Sequence, residues 1–168
     1  FFVVANAGND QTICNGLDAT LTATGGVAYV WNTGETTASI NVSPSSTTTY
    51  TVTAFDATGT VSDTDDVIVF VNALPTVDAG INVSITIGDS TTLTASGADT
   101  YLWSTGETTQ TISVAPPGND NLNVFVDYTV TITDGRSCTS TATYTISEPT
   151  LLELDTAFLS SENFNGFG

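Results

Sequence analysis

The chain has 168 residues and a formal net charge of −17, from eighteen acidic side chains and the single cation Arg136. Without clustered cations it cannot displace counterions from phosphates, which excludes nucleic acid and anionic membrane surfaces as partners. The absence of His and Lys removes the commonest general base and Schiff-base chemistry. No run is long and apolar enough for membrane insertion. Abundant Thr and Val favour β-strands.

The first half of the chain contains alternating apolar and polar runs, separated by turn residues at the spacing typical of a β-sandwich. Strict alternation in Tyr50-Thr-Val-Thr-Ala-Phe55 puts Tyr50, Val52 and Ala54 on one face. No window has the apolar period of a helix. The predicted strands are 10–14, 18–24, 27–32, 37–42, 48–55 and 65–72.

Two tight turns are predicted between these strands. Gly34 can supply the positive φ that a hairpin needs, and Asp56 is placed to cap its own turn. The second half repeats the pattern, with predicted strands at 81–87, 90–96, 99–104, 109–114, 123–133 and 139–147.

The two halves are copies of one another. Tyr29-Val-Trp-Asn-Thr-Gly-Glu-Thr-Thr-Ala-Ser-Ile40 returns at Tyr101–Ile112, an offset of 72 residues (101 − 29). A match of this length at one fixed offset indicates a tandem array of repeats. We expect repeat 1 over 1–74, repeat 2 over 75–149, and the first strand of a further module or a tail over 150–168. A longer loop after Pro116 distinguishes the second repeat.

Each repeat carries one tryptophan at the same place, Trp31 and Trp103. We expect both, together with Tyr50 and Tyr128, to form the core of a sandwich. Stacking of the indoles on carbohydrate is the alternative. Glu35 and Glu107 lie in separate repeats, so they do not form the carboxylate pair that glycoside hydrolysis requires. No enzymatic activity is expected.

Acidic residues near the second hairpin suggest one metal site. Asp63, Asp65 and Asp66, with Asp56 across the hairpin, could supply oxygens to calcium. Their spacing matches no dedicated calcium loop, and a solvated acidic rim is the alternative. No other cofactor is expected.

Cys14 and Cys138 are the only cysteines, and they fall in different repeats. A disulfide needs close approach of the two Cα atoms. We therefore expect two free cysteines that behave as small hydrophobes, with a Cys14–Cys138 bridge as the alternative.

The repeated Trp-[Ser/Asn]-Thr-Gly-Glu-Thr-Thr block, followed by Pro and a Tyr-Thr-Val-Thr strand, resembles the immunoglobulin-like or PKD-like repeats of giant surface adhesins from gliding Bacteroidota. The resemblance covers residues 5 to 149, and the tail resembles the start of a repeat in SprB-type gliding-motility adhesins. It implies an all-β fold of two tandem immunoglobulin-like (PKD-like) sandwiches in an elongated rod.

The resemblance also implies type IX secretion and O-glycosylation at Asp-[Ser/Thr]-[small or aliphatic] tripeptides. Ser90 and Thr156 match that pattern, and solvated turn residues are the alternative. In that family one cysteine follows the first strand and another follows the Asp-x-x-Gly turn. Each repeat here keeps only one of the two.

The leading hypothesis is a non-enzymatic segment of an extracellular filamentous cell-surface adhesin, in which the modules serve as a spacer and adhesion rod. Its expected partners are neighbouring modules and surface polysaccharide or other cell-surface molecules. The alternatives are a filament subunit that exchanges strands, through Phe1–Val4 or Leu151–Leu154, and a carbohydrate- or calcium-binding module.

Overall fold

The computed structural model describes residues 2–78, 80–118 and 124–149, and in these ranges the chain is all-β. None of the described residues forms a helix that could cross a membrane. The strands are β1 Gln11–Cys14, β2 Ala19–Thr22, β3 Ala28–Trp31, β4 Ser39–Val42, β5 Thr48–Phe55, β6 Ser62–Asn72, β7 Val83–Ser84, β8 Thr91–Thr94, β9 Thr100–Trp103, β10 Thr111–Val114, β11 Val124–Thr133 and β12 Thr139–Glu148.

The first repeat folds into two sheets. One has the order β1-β6-β5-β3, with β1 parallel to β6, and the other pairs β2 with β4. The second repeat reproduces this arrangement as β7-β12-β11-β9 and β10-β8, again with its first strand parallel to its last. In each repeat the second and fourth strands form one sheet, and the third, fifth and sixth lie in the other, which is the immunoglobulin arrangement. The predicted fold class, two tandem immunoglobulin-like sandwiches, is confirmed.

The cores follow from the alternation of the strands. In β5 the predicted inward set of Tyr50, Val52 and Ala54 is buried, whereas the residues between them are partly exposed. Leu21 on β2 and Val67 on β6 are completely buried, and they pack in one cluster with Tyr50 and Val52. Apolar residues at every second position thus bring the two sheets of the repeat together.

Contacts between Cα atoms divide the chain into two compact units. The first unit contains the first repeat through Val77 together with Gly97–Thr100 and Ile132–Ser140, and the second contains the other described residues. The division at Val77 lies near the predicted limit of the first repeat. The predicted third segment, 150–168, lies outside the described residues.

The expectation of two free cysteines is wrong. Cys14 and Cys138 form a disulfide, with their Cα atoms 5.6 Å apart. Cys138 belongs to the second repeat in sequence but to the first unit by contacts, because the turn between β11 and β12 lies there. Alignment of the repeats could not reveal this. In the chain-entropy model a bridge that closes a loop of 124 residues stabilises the fold by about 5 kcal/mol.

A stretch at the start of the chain lies against Gly25. Asn6 and Thr24 exchange backbone hydrogen bonds of 3.1 and 2.8 Å. Gly25 has a φ of +92°, and a Cβ added there would lie 1.7 Å from the carbonyl oxygen of Val4. Gly97 repeats the feature in the second copy, where a Cβ would lie 2.1 Å from the carbonyl oxygen of Thr76.

We expect Gly25→Ala to destabilise the protein more than Gly34→Ala. Both residues have a positive φ, +92° and +99°, but a Cβ on Gly34 meets nothing within 4 Å. Gly34→Ala should therefore cost only the strain of the left-handed backbone, about 1–2 kcal/mol. The clash of Gly25→Ala with a backbone oxygen should add about 1–3 kcal/mol. Urea unfolding of both variants measures the difference, and equal losses would contradict the close approach of Val4.

Candidate functional sites

The two tryptophans lie inside their repeats. Trp31 ends β3 with 1% of its surface exposed, and its indole N–H donates to the carbonyl oxygen of Thr37 at 3.0 Å. Trp103 ends β9 with 2% exposed, and it donates to the carbonyl oxygen of Thr109 at 2.8 Å. Because each indole is covered and its only polar group is bonded, neither presents a face on which a sugar could stack.

The tyrosines predicted for the core are also buried. Burial raises the pKa of Tyr50 above its usual value. Burial raises the pKa of Tyr128 too, and the negative charge of Glu148 adds to the effect. In the second repeat Tyr144 packs beside Trp103, with ring centroids 5.6 Å apart, and its hydroxyl donates to the carbonyl oxygen of Thr94. All three phenols are structural.

Glu35 and Glu107 follow the predicted tight turns. Gly34 has a φ of +99° and Gly106 one of +97°, as expected, and the amide of Gly34 donates to the carbonyl oxygen of Trp31 at 2.9 Å. The pKa of the exposed Glu35 carboxyl lies below its usual value. The main cause is a hydrogen bond from the Thr33 side chain, and a hydrogen bond from the backbone of Glu35 itself adds to it. Each glutamate sits at an exposed turn of its own repeat.

Asp56 caps the turn between β5 and β6, as predicted. Its Oδ1 accepts the amides of Thr60 at 3.0 Å and Val61 at 3.2 Å, and its Oδ2 accepts the Thr58 hydroxyl at 2.7 Å. The Thr58 hydroxyl is the main reason that the pKa of Asp56 lies below its usual value, and the amides assist. Because the pKa is lowered in the folded state, the ionised Asp56 stabilises the turn. This stabilisation is fully present above the unfolded-state pKa and is lost as the pH falls through the folded-state pKa.

Asp63 and Asp65, predicted as calcium ligands, bind the start of the chain. Their carboxylates accept the backbone amides of Ala5 at 3.0 Å and Ala7 at 2.8 Å. They lie on the same face of β6 as the buried Val67 and Val69. Asp65 precedes Val67 by two residues, and Asp63 precedes it by four. The carboxylates therefore act as acceptors for amides that no neighbouring strand satisfies.

Asp66 lies on the opposite face of β6 and is exposed. In the ranges that the structure describes, no three His, Cys, Asp or Glu side chains gather as a group that could hold a metal ion. Calcium binding by Asp56, Asp63, Asp65 and Asp66 stays a prediction.

A second type of side-chain contact is made with the last strand of each repeat, β6 in the first and β12 in the second. Oδ1 of Asp10 accepts the amide of Ile68 at 2.8 Å, and Oδ1 of Asn82 accepts the amide of Thr145 on β12 at 3.1 Å. In both cases the acceptor lies just before the first strand of its repeat. The 72-residue offset between the repeats aligns Asp10 with Asn82 and is the sequence signal for this shared contact.

Of the two candidate O-glycosylation residues, only Ser90 lies within the described residues. Ser90 is exposed and follows Asp89, whose amide closes a turn with the carbonyl oxygen of Thr86 at 3.0 Å. An exposed serine after a turn is accessible to a modifying enzyme. Thr156 lies outside the described residues. Modification at both positions stays a prediction.

Two open clefts, each of about 230 Å³, lie in the first unit. One borders the disulfide, and the other contains the exposed Phe2 and Val27, which are 90% and 70% exposed. Neither combines an apolar pocket with converging polar groups, which is the usual mark of a small-molecule site. The first is lined by Cys14, Asn15, Gly16, Leu17, Leu74, Ser137 and Thr139, and the second by Phe2, Val3, Gly25, Gly26, Val27, Phe55, Asp56 and Ala57.

Glu148 was not anticipated from the sequence. It ends β12 with no exposed surface, and within the described part of the chain neither carboxylate oxygen has a hydrogen-bond partner. Buried carboxylates are normally paired, so this one is a cost to the second repeat. The alternation of Tyr144, Ile146 and Glu148 on β12 was the signal that could have placed it inside.

No protein-family model matches the chain, and no curated protein matches it. Tandem β-domains of several solved structures match it by structure. The titin domains Z1Z2, crystallised with telethonin, are 13% identical, with 90% of this chain and 100% of that chain covered and a TM-score of 0.34. The fibronectin(III)-like modules of Clostridium thermocellum CbhA are 14% identical over 88% of this chain and 95% of that one, with a TM-score of 0.36.

Three N-terminal domains of the bacteriophage RB49 outer capsid protein Hoc are 21% identical. That match covers 86% of this chain and 57% of the other, with a TM-score of 0.35. Because all these scores lie below 0.5, the fold assignment rests on the strand order and register of this chain itself.

We expect Asp65→Ala to lower the free energy of unfolding by about 1–3 kcal/mol, because the buried amide of Ala7 loses its acceptor. Asp65→Asn, which keeps a carbonyl oxygen, should lose less. The control is Asp66→Ala on the outer face, which should change stability by about 0.5 kcal/mol or less. Urea unfolding gives the values.

Two other outcomes would count against this role of Asp65. Equal losses for Asp65→Ala and Asp66→Ala would show that its carboxylate is not needed as an acceptor. A melting temperature that rises with Ca²⁺ in the wild type, and in neither alanine variant, would support the predicted calcium site instead.

Proposed function

We propose that this chain is a non-enzymatic segment of an extracellular cell-surface adhesin, in which tandem immunoglobulin-like modules act as spacer and adhesion surface. The observation that carries the proposal is the repetition of one sandwich with the same buried indole, bonded in the same way in both copies. A fold copied in this way multiplies length and surface, whereas an active site needs different groups brought together once.

The disulfide supports an extracellular location. Structural disulfides form and persist in oxidising surroundings, and they are rare in the cytosol. Cys138 is completely buried in the first unit, and the bridge joins it to the partly buried Cys14.

The charge indicates which partners to expect. A net charge of −17 disfavours anionic surfaces and favours neutral or cationic ones. The exposed turns that follow Trp31 and Trp103 occur once in each repeat, so they offer the same small polar surface twice. Neutral surface polysaccharide and neighbouring modules of the same protein are the partners that we propose.

The assignment to gliding motility and type IX secretion rests on the sequence resemblance, above all on the repeated Trp-[Ser/Asn]-Thr-Gly-Glu-Thr-Thr block. O-glycosylation at Ser90 and Thr156 belongs to the same proposal. Mass spectrometry of protein purified from its natural source would detect glycan on the peptides that carry them.

The proposal predicts that antibodies against this chain label intact, unpermeabilised cells of the source organism. It also predicts that the purified chain, added in excess, reduces attachment of those cells to a polysaccharide-coated surface, because it occupies the same receptors. The matched control is the chain reduced and heat-unfolded before addition, which keeps the composition and charge but not the modules.

Labelling that appears only after permeabilisation would overturn the extracellular assignment. Equal inhibition by folded and unfolded chains would mean that charge, and not the folded modules, causes the effect. Attachment unchanged by the folded chain would remove the adhesive role and leave a spacer.

A further inference from the structure

The position of the disulfide along the chain divides the strands into two groups. Cys14 is the last residue of β1, and Cys138 directly precedes β12. All strands from β2 to β11 therefore lie in the covalently closed loop, whereas β1 and β12 lie outside it. Both buried indoles, Trp31 and Trp103, are inside the loop.

A pull on the two ends of the chain reaches the bridge before it reaches the loop. Thirteen residues precede Cys14 and thirty follow Cys138, and only these can be drawn out while the bridge is intact. Tension then passes from Cys14 to Cys138 through the sulfur–sulfur bond. It does not pass along the 124 residue steps that separate them in sequence.

The residues outside the loop are themselves held in place. The amides of Ala5 and Ala7 donate to Asp63 and Asp65, and β1 pairs in parallel with β6 over Gln11–Cys14. β12 lies between β7 and β11. Under load these contacts are the first that must break, and the chain can lengthen only by what they release.

The lengths follow from the reach of an extended chain, about 3.6 Å per residue. The 43 residues outside the loop reach about 150 Å, and all 168 residues reach about 600 Å. The closed bridge therefore withholds about 450 Å of chain.

We propose that the Cys14–Cys138 disulfide is a length lock: it limits how far a loaded chain can extend, even after its sandwiches open. This rests on the proposed function, since an adhesin that joins a cell to a surface is loaded at both ends. The lock keeps the tether short and keeps the strands of each core close together, so that they refold when the load falls. Loop closure lowers the entropy that refolding must overcome.

Burial of Cys138 keeps the lock closed in the resting protein. Its sulfur has no exposed surface, and its amide donates to Oδ1 of Asp134 at 2.8 Å within the turn that precedes β12. A reductant must therefore approach from the side of Cys14, which lines the cleft described above.

Single-molecule pulling of the full chain, with handles at both termini, tests the lock. The oxidised wild type should stop at a contour length of about 150 Å, and the same protein in a phosphine reductant should reach about 600 Å. Cys14→Ser/Cys138→Ser should reach the longer value with and without reductant. Fully extended length does not depend on folding, so a variant that folds poorly still gives an interpretable control.

An oxidised wild type that extends to the full length would overturn the lock. Two free thiols per chain, found by alkylation after folding in air, would overturn it as well. These outcomes are separable from failure of the adhesive function. A short contour with no effect on cell attachment keeps the lock and rejects adhesion, whereas inhibition of attachment with no lock does the reverse.

Discussion

Each buried indole requires a hydrogen-bond acceptor inside its repeat, and a threonine carbonyl supplies it in both copies. Trp31 and Trp103 are the largest buried side chains of their repeats, and each carries a polar N–H into a place that water does not reach. Such a group costs free energy unless it is bonded. Thr37 and Thr109 supply the acceptor six residues later, across the tight turn. The turn is therefore fixed by the core, and its exposed residues are presented in the same way in both copies.

Much of the fold could be predicted because alternation and turn chemistry are local. β5 was predicted as 48–55 and occupies Thr48–Phe55. β6 was predicted to begin at residue 65 but begins at Ser62. The residues that the prediction left out include Asp63, a charged residue on the same face of the strand as Val67, which a pattern of apolar alternation does not detect. Asp63 is exposed and Asp65 is partly buried, and each carboxylate accepts a backbone amide from a segment 58 residues away.

The other errors have the same origin. The disulfide depends on which turn of the second repeat lies in the first unit, and no local pattern around Cys14 or Cys138 contains that information. For Glu148 two sequence signals disagree. Its alternation with Ile146 predicts an inward position, whereas its charge predicts the surface, and the residue is buried. For the two cysteines, a contact between distant parts of the sequence decides what the residues do.

The central claim is that each sandwich is built around a covered indole and not around an open binding cleft. Acrylamide quenching of Trp31→Phe and Trp103→Phe tests it most directly, because each variant leaves one indole to report. The account predicts blue-shifted emission and little quenching for both variants in native buffer, with strong quenching only after unfolding. Ready quenching of either indole in a chain that is still folded would contradict it.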